Sequence, residues 1–351
     1  MNAPRRKLSV PARRASAVEP NLAYLHEVAL LGSMRAAADS LGIAVSSISR
    51  QIGQLEREFG LEFLERGRRP AKLTEAGAAL IDFYRDRLAQ RERLDQRLAD
   101  LKGSRAGRVD VVIGEGFIGE LLSAMFSRFV TAYPGLLVDV RMTASSNDAA
   151  RLVAEDEAHV GLAFQALQDP RVRMMASASQ SLCAIVPAGH PLAKTEAIRL
   201  RDLDPHRLCL PEASFRTRQL LRAVESAEGY TLCPTITSNS LTLLKALVRS
   251  GKFCTILPEL AVHEELERGE CMTLKLATQL LPDTAIHVLS RVGRKLSPAA
   301  LTLLDELTGF LQGCVERIER ARRRSKLRSA RSRDVAGGTR LRRAPKDSAS
   351  D

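Results

Sequence analysis

The sequence of 351 residues lacks any apolar stretch near the roughly 18 residues that a membrane-spanning helix needs. Basic residues occur at its N-terminus, but no apolar segment follows them, so the pattern of a secretory signal peptide is also missing. The hydrophobic content of 45% is ample for packed cores, and the length suggests two or three domains. We therefore expect a cytoplasmic, soluble protein with no membrane partner.

No Cys-x-x-Cys pair occurs among the six cysteines, which are scattered through apolar segments. We interpret them as buried, reduced thiols and not as metal ligands or a redox pair. His206 and Cys209 have a spacing that metal ligands can use, but no second pair accompanies them. Since no histidine belongs to a serine or cysteine nucleophile motif either, we expect no catalytic residues, no metal and no cofactor.

The formal net charge of +12 is concentrated at the two ends of the chain. Residues 1–104 carry 18 Lys and Arg against 13 Asp and Glu, and residues 315–351 carry 13 against 5. Residues 105–314 are almost neutral, with 22 basic and 23 acidic side chains. This distribution favours nucleic-acid binding at one end and a small-molecule or protein-facing module in the middle.

Residues 33–58 are predicted to form two short helices that are separated at Gly42. Apolar residues of the second helix recur at steps of three and four and predict a core-facing stripe of Val45, Ile48, Ile52, Leu55 and Phe59. The opposite stripe is polar and consists of Ser46, Arg50, Gln54 and Arg57. Two small helices with exposed hydroxyls and an arginine on the second are typical of a helix-turn-helix that contacts bases.

Five segments in residues 21–77 resemble, in the same order, the N-terminal domain of LysR-type transcriptional regulators. They are Ala36-Ala37, Ser49-Arg50-Gln51-Ile52, Leu55-Glu56, Phe63-Leu64-Glu65-Arg66 and Leu73-Thr74-Glu75-Ala76-Gly77. The resemblance implies a winged helix-turn-helix at residues 20–77 that binds double-stranded DNA. One departure is Ala44-Val45, where the family often has Ser-Gln, so that a side-chain cap and a base contact are missing.

The candidate DNA-binding residues combine the exposed stripe with cations and hydroxyls around it. They are Ser33, Arg35, Ser46, Ser47, Arg50, Gln54, Arg57, Arg68, Arg69 and Lys72. The cations between residues 61 and 74 suit a short two-stranded wing that contacts the DNA backbone and positions the domain. Residues 1–19 are rich in Arg, Pro, Ala and Ser without apolar periodicity, and we interpret them as a disordered basic arm.

A helix of nearly thirty residues is predicted over 74–102, with Leu80, Tyr84, Leu88, Leu94, Leu98 and Leu101 along one side. Such a stripe needs a partner, either a second subunit or the protein's own C-terminal domain. In the resembled family this linker helix pairs two subunits, which implies a homodimer or a dimer of dimers. We assign residues 78–104 to the linker helix and hinge, and we interpret Gly103, Ser104 and Gly107 as the hinge residues.

Beyond the hinge, strands and helices alternate, which predicts an α/β domain at residues 105–314. The predicted strands are 109–113, 136–142, 159–164, 182–186, 207–210, 231–237, 253–257 and 286–290, with helices at 118–131, 216–227 and 241–249. Three segments, 131–135, 189–193 and 250–258, resemble the family's effector domain. The resemblance implies a periplasmic-binding-protein-like pair of lobes, lobe I at 105–179 and 281–314 and lobe II at 180–280.

The effector cleft is expected at loops that follow the carboxyl ends of strands in both lobes. Our candidates are Gly116, Phe117, Ser145, Ser146, Phe164 and Gln165 from lobe I, and Ser214, Phe215, Asn239 and Thr255 from lobe II. The family commonly has a hydroxyl at the first of these loops to bind a carboxylate, whereas this chain has Glu115-Gly116-Phe117. This departure favours an aromatic or amine-bearing small-molecule effector over a simple acid.

Two other functions remain open at this point. Gly114, Gly116 and Gly119 form a GxGxxG turn between a strand and a helix, with Asp139 about twenty residues later, as in nicotinamide-dependent enzymes. Glu115 would, however, place negative charge where the pyrophosphate binds, and Asp139 lies inside its strand. The second alternative is a nucleoid-associated DNA-binding protein that needs no effector. Residues 315–351 are interpreted as continuing a helix briefly and then forming a disordered basic tail, either simply solvated or attracted to phosphates.

Overall fold

The computed structural model describes the backbone of residues 15–65, 67, 70–101, 107–166 and 168–338. The chain forms two compact units that divide between Leu98 and Ala99. Several predictions fall outside the described residues, namely those on the arm at 1–14, on Arg68 and Arg69, on the hinge at 103–104 and on the tail at 339–351.

The N-terminal unit contains α1 (Ala15–Leu31), α2 (Met34–Leu41), α3 (Val45–Phe59) and most of α4 (Glu75–Leu101). Helix α2 begins where the Ser33 hydroxyl accepts a hydrogen bond from the Ala36 amide at 3.3 Å. It ends at Gly42, whose φ of 67° lies in the left-handed region that glycine adopts without strain. The predicted helix-turn-helix is therefore confirmed.

The core of this unit is formed by one stripe of α3 packed against α1 and α2. Ile48, Ile52 and Leu55 are buried, as predicted. Val45 and Phe59, predicted on the same stripe, are 43% and 48% exposed. They are the first and last residues of α3, and the buried residues of α1 and α2 contact the middle of the stripe, so the prediction was wrong at both ends.

Helix α1 extends into the segment that was predicted to be a disordered arm. Its first residue is Ala15, so residues 15–19 are helical and do not belong to a disordered arm. The segment from Ala15 to Glu19 contains alanines, which favour helix formation. Pro20 lies inside this helix and has no amide hydrogen to donate to the carbonyl four residues earlier, so α1 lacks that backbone hydrogen bond.

Among the described residues of the predicted wing, Leu64 and Leu73 form an antiparallel bridge. It is supported by a hydrogen bond of 2.8 Å from the Glu65 amide to the Lys72 carbonyl. Thr74 then starts α4: its hydroxyl donates to the Glu62 carbonyl and accepts from the Gly77 amide at 3.1 Å. The Thr74 hydroxyl thus connects the wing segment and the first turn of the linker helix through these two hydrogen bonds.

The second unit contains two separate sheet regions. The strands of its first sheet are β1 (Gly107–Gly114), β2 (Leu136–Thr143), β3 (Val160–Phe164), β4 (Val172–Ser179) and β11 (Ala285–Arg291). They have the order β2-β1-β3-β11-β4, with β1 parallel to β2 and β3, and β11 antiparallel to β3 and β4. Gly107, predicted as a hinge residue, is the first residue of β1. We call this sheet and its helices the first lobe.

The strands between Ser179 and Ala285 form the second lobe. They are β5 (Leu182–Pro187), β6 (Ala197–Ile198), β7 (Cys209–Pro211), β8 (Ile236–Ser238), β9 (Thr255–Pro258) and β10 (Cys271–Leu276). Four of them form a sheet of order β6-β10-β5-β9, and β7 pairs with β8. A bridge from Leu208 to Cys254 links the two sheets. The two-lobed α/β prediction is confirmed.

Helices cover these sheets. They are α5 (Glu120–Ala132), α6 (Ser146–Ala154), α7 (Arg216–Glu228), α8 (Leu241–Arg249), α9 (His263–Arg268) and α10 (Pro298–Gly338). Short 3₁₀-helices precede α5 and α9 at Glu115–Phe117 and Glu259–Val262. No helix among the residues that the structure describes is both long and apolar enough to traverse a bilayer.

The structure differs from the sequence prediction mainly at exposed or short elements. Strands β4, β6 and β10 were not predicted, and the predicted strand at 231–237 is reduced to β8. Helix α10 continues to Gly338, so residues 315–338 are helical where only a brief continuation of the helix was predicted. This segment contains eight Arg and three Ala residues and no proline, a composition that favours a helix.

Gly77 lies where α4 crosses the wing, and we predict that Gly77→Ala destabilises the N-terminal unit. A Cβ atom at this position would overlap the backbone carbonyl of Phe63 and lie 3.1 Å from Leu73. Backbone displacement of this kind costs on the order of 1–3 kcal/mol, which thermal unfolding of the variant measures. Gly53→Ala is the matched control, because its Cβ meets only Arg57 at an ordinary 3.5 Å and a helical alanine is favoured. Equal melting temperatures for the two variants would contradict the prediction.

Candidate DNA-binding and effector-binding sites

The predicted polar stripe of α3 is exposed in the structure. Its residues are Ser46, Arg50, Gln54 and Arg57. The opposite stripe is anchored by Ile48, Ile52 and Leu55, none of which is more than 2% exposed. Burial of one stripe therefore fixes the direction in which the polar stripe points. The polar stripe presents a hydroxyl, a guanidinium and an amide in successive turns.

The other candidates on this unit have different roles. Ser33 is half-buried and caps α2, whereas Arg35 and Lys72 are exposed, on α2 and on the wing. Ser47 is half-buried in the first turn of α3. The cap residue of α3, Ala44, makes no side-chain hydrogen bond, in agreement with the departure that the sequence shows.

Ser49 is a further exposed residue on this face that the candidate list omitted. It follows Ser46 by three positions and precedes Gly53 by four, so all three lie on one side of α3. The same helical spacing that selected Ser46 and Arg50 would have identified it. Ser49 has a small side chain and Gly53 has none. The surface of α3 is therefore low in the middle of this face, next to the long Arg50 side chain.

In the second unit, the loop after β1 contacts the start of α8. The Glu115 carboxylate accepts a hydrogen bond from the Ser240 hydroxyl at 2.9 Å and lies 3.5 Å from the Thr242 amide. Glu115 belongs to the first lobe and α8 to the second. A carboxylate at a helix N-terminus is favoured by the free amides and the helix dipole, so this position already holds a negative charge.

Gly116 and the loop after β2 both meet the second lobe near Leu241. A Cβ atom on Gly116 would lie 3.2 Å from Leu241 Cδ1, and Ala144 packs against the cluster that contains Leu241 and Phe215. The structure thus places Gly116 and the residue before Ser145 against apolar residues of the second lobe, in a cluster that also contains Phe215.

The remaining candidates of the first lobe have structural contacts. Phe117 and Phe164 are buried in the main core, and Ser145 caps α6 by accepting from the Asp148 amide at 3.3 Å. Ser146 is half-buried in the first turn of α6. The Gln165 side chain accepts from the Ala285 amide at 2.9 Å and therefore holds the chain where it returns to the first lobe.

The remaining candidates of the second lobe divide between surface and core. Ser214 is exposed and donates to Glu212 at 2.9 Å, and Asn239 is exposed just before α8. Thr255 is fully buried and pairs with Ile185 inside a sheet, so its assignment to the cleft was wrong. Its strand ends three residues later, and strand ends rather than strand starts reach a cleft.

The geometry argues against a nucleotide in the GxGxxG turn. The Glu264 carboxylate accepts a hydrogen bond from the Glu120 amide at the start of α5, where a pyrophosphate would bind. Asp139 lies within β2 and forms a 2.5 Å ion pair with Arg108. The two features that a dinucleotide site requires are therefore occupied by the chain's own side chains.

Five of the six cysteines are buried, and Cys233 is exposed. Burial raises the pKa of Cys209 and Cys254 to about 11 and that of Cys271 and Cys314 to about 12, which disfavours the reactive thiolate. His206 contacts the ring of His190, and the His190 Nε2 lies 3.6 Å from Cys254 Sγ. Within the described part of the chain, no group of three or more such side chains is arranged to hold a metal.

Comparison with known proteins places both units in one family. Residues 20–78 match the model of the bacterial regulatory helix-turn-helix protein, lysR family. Residues 102–312 match the model of the LysR substrate binding domain. Together these matches span the α3 face and both lobes.

Relatives and solved structures agree with this assignment. The RuBisCO operon transcriptional regulator of Allochromatium vinosum is 28% identical over 284 residues, which cover 80% of this chain and 91% of the relative. The regulator BenM of Acinetobacter baylyi is 28% identical over 246 residues, or 68% of this chain and 79% of BenM. Full-length OxyR from Pseudomonas aeruginosa shares the fold, with a TM-score of 0.56 at 17% identity over 84% of this chain and 94% of that one. The chain belongs to the LysR family and is a transcriptional regulator with a DNA-binding helix-turn-helix and an effector-binding domain.

Proposed function

We propose that this regulator recognises its operator with the exposed face of α3. The observation that carries the proposal is the burial of Ile48, Ile52 and Leu55, which leaves Arg50 and Gln54 exposed on the other side of the same helix. An arginine can donate two hydrogen bonds to a guanine, and a glutamine can pair with an adenine. Ser46, Ser47 and Arg57 extend this face along α3.

The cations around α3 are proposed to contact phosphates. Arg35 and Lys72 are exposed on α2 and on the wing, and the sequence places Arg68 and Arg69 in the same wing. Contacts to phosphate fix the position of the domain on the duplex and are the same in every sequence. Ser33 supports this arrangement from its place at the start of α2.

We propose that α4 pairs two subunits. Leu94 and Leu98 are 56% and 46% exposed on this 27-residue helix, and Leu88 is 45% exposed. A stripe of exposed leucines on a long helix is stabilised when a second helix covers it. Pairing would present two α3 helices to two half-sites, either in a homodimer or in a dimer of dimers.

We further propose that a small-molecule effector binds where Gly116, the Ser145 loop and Phe215 meet around Leu241. Glu115 beside this place favours an aromatic or amine-bearing molecule over a simple acid, because like charges repel at short range. No cofactor and no catalytic role are proposed, and the protein is expected to act in the cytoplasm on chromosomal DNA.

Binding of the full-length protein to a labelled library of genomic fragments tests this function. We expect enrichment of a few discrete sites with two half-sites about 34–36 Å apart or at multiples of that distance. Uniform, salt-sensitive coating of all fragments would instead indicate a nucleoid-associated protein. Absence of DNA affinity would contradict the proposal altogether.

We predict that Arg50→Ala and Lys72→Ala weaken DNA binding in different ways. Loss of Arg50 should reduce affinity for the operator by about 1–3 kcal/mol and relax base preference at one position in each half-site. Loss of Lys72 should weaken operator and random duplexes alike and reduce the salt dependence by about one charge. Both substitutions remove one positive charge, so a difference between them does not come from net charge. Titrations against operator variants therefore separate recognition of bases from contacts to phosphate. Identical uniform losses would show that the two roles are assigned wrongly.

We predict that a fragment of residues 1–104 is a dimer and that Leu94→Asp with Leu98→Asp makes it monomeric. Burial of unpaired carboxylates between two helices is strongly unfavourable. The control is Leu31→Asp with Leu61→Asp, which places the same charges at leucines of similar exposure, 42% and 54%, outside α4. Analytical ultracentrifugation should find the control dimeric. A dimeric Leu94 and Leu98 variant would show that subunits pair elsewhere.

A further inference from the structure

We propose that Glu115 and Glu264 form a reciprocal latch that holds the two lobes of the effector domain together. Each carboxylate belongs to one lobe and binds the N-terminus of a helix in the other. We call these two contacts, with Arg268, the interlobe latch. The proposal depends on the proposed function in one respect. It requires that the two lobes of the effector domain move relative to each other when an effector binds.

The first half of the latch joins Glu115 of the first lobe to α8 of the second. Glu115 Oε1 accepts from the Ser240 hydroxyl at 2.9 Å, and the same hydroxyl accepts from the Leu243 amide at 3.4 Å. The Ser240 hydroxyl therefore links the Glu115 carboxylate to the first turn of α8. Helix α8 has no acidic residue in its first turn, so Glu115 supplies the negative charge that its N-terminus favours.

The second half joins Glu264 of the second lobe to α5 of the first. Its carboxylate accepts from the Glu120 amide, and it lies so close to Gly119 that a Cβ atom there would overlap it. Gly119 is the cap residue of α5 and contributes no side-chain hydrogen bond, so the cap comes from the other lobe. Arg268 adds an ion pair to Glu120 and lies 3.8 Å from Glu264.

The two contacts differ from ordinary helix caps in sequence separation. Glu115 and Ser240 are 125 residues apart, and Glu264 and Glu120 are 144 apart, whereas Ser145 caps α6 from within three residues. A local cap persists when the lobes separate, but both latch contacts break. Opening the lobes therefore exposes two helix N-termini at once, and this couples the two contacts.

The latch also gives Glu115 a role in effector selection. An acidic effector would compete with Glu115 for the same amides at the start of α8, so it could bind there only by displacing the carboxylate. An effector that donates hydrogen bonds or carries a cation can pair with Glu115 while the latch stays closed. Glu115 is thus a specificity-determining residue as well as a closing contact.

Hydrogen exchange of the full-length protein tests the coupling. We expect Glu115→Ala to accelerate exchange about fivefold at the α8 amides 241–243, which corresponds to the loss of one charged cap. If the latch is reciprocal, the same variant also accelerates exchange at amides 119–122 at the start of α5, although the Glu115 carboxylate forms its hydrogen bonds with Ser240 and Thr242. Glu264→Ala should produce the mirror-image result. Glu115→Gln keeps an acceptor oxygen and should restore much of the protection.

Ser145→Ala is the matched control, because it removes a cap that lies within one lobe. It should accelerate exchange at the start of α6 alone. If Glu115→Ala affects only α8, then Glu115 is a local cap and the latch is refuted; unchanged exchange at both helices refutes it as well. These measurements need neither DNA nor effector. Their result therefore does not depend on whether the operator-binding experiment succeeds or fails.

Discussion

The burial of one stripe of α3 is the constraint on which the DNA-binding unit depends. Ile48, Ile52 and Leu55 each lose nearly all contact with water, and burying a side chain of this size contributes roughly 1.5–3 kcal/mol. Because side chains on a helix keep fixed angular positions, this packing also sets the direction of Arg50 and Gln54. The face proposed to read bases therefore needs no separate stabilisation. A substitution that loosens the core of this unit would misdirect Arg50 without touching DNA.

Much of this unit could be predicted from sequence because its determinants are local. The period of apolar residues in α3, the Ser33 cap and the turn at Gly42 act within a few residues of one another. The ends of the stripe could not be predicted, since the exposure of Val45 and Phe59 depends on how far the neighbouring helices extend. The helical course of α10 to Gly338 was missed because its C-terminal part contains few large apolar residues and therefore shows no apolar periodicity in the sequence.

The effector domain was predictable at the level of alternating strands and helices, and less so at the level of its cleft. Strand β4 lies at the edge of its sheet and most of its residues are exposed or half-buried, so its pattern is weak. Thr255 and Gln165 were assigned to the cleft from their nearness to strand ends, but one lies inside a sheet and the other binds Ala285. The sequence does show that Glu115 departs from the family. It cannot show that Ser240 is its partner, because only the folded chain brings residues so far apart together.

In the proposed latch, the Glu115 carboxylate affects both which effector the domain selects and how its two lobes are held together. A helix N-terminus in a cleft attracts an anion whether that anion is a ligand or a side chain, and α5 and α8 each receive a carboxylate from the opposite lobe. An effector that changes the spacing of the lobes must therefore supply free energy comparable to that of two charge-assisted caps, or bind beside them. Under this proposal, an acidic ligand at the N-terminus of α8 displaces Glu115, whereas a cationic ligand pairs with it. A carboxylate in this loop, where the resembled family commonly has a hydroxyl, is therefore proposed to affect both the charge of the effector and the closure of the lobes.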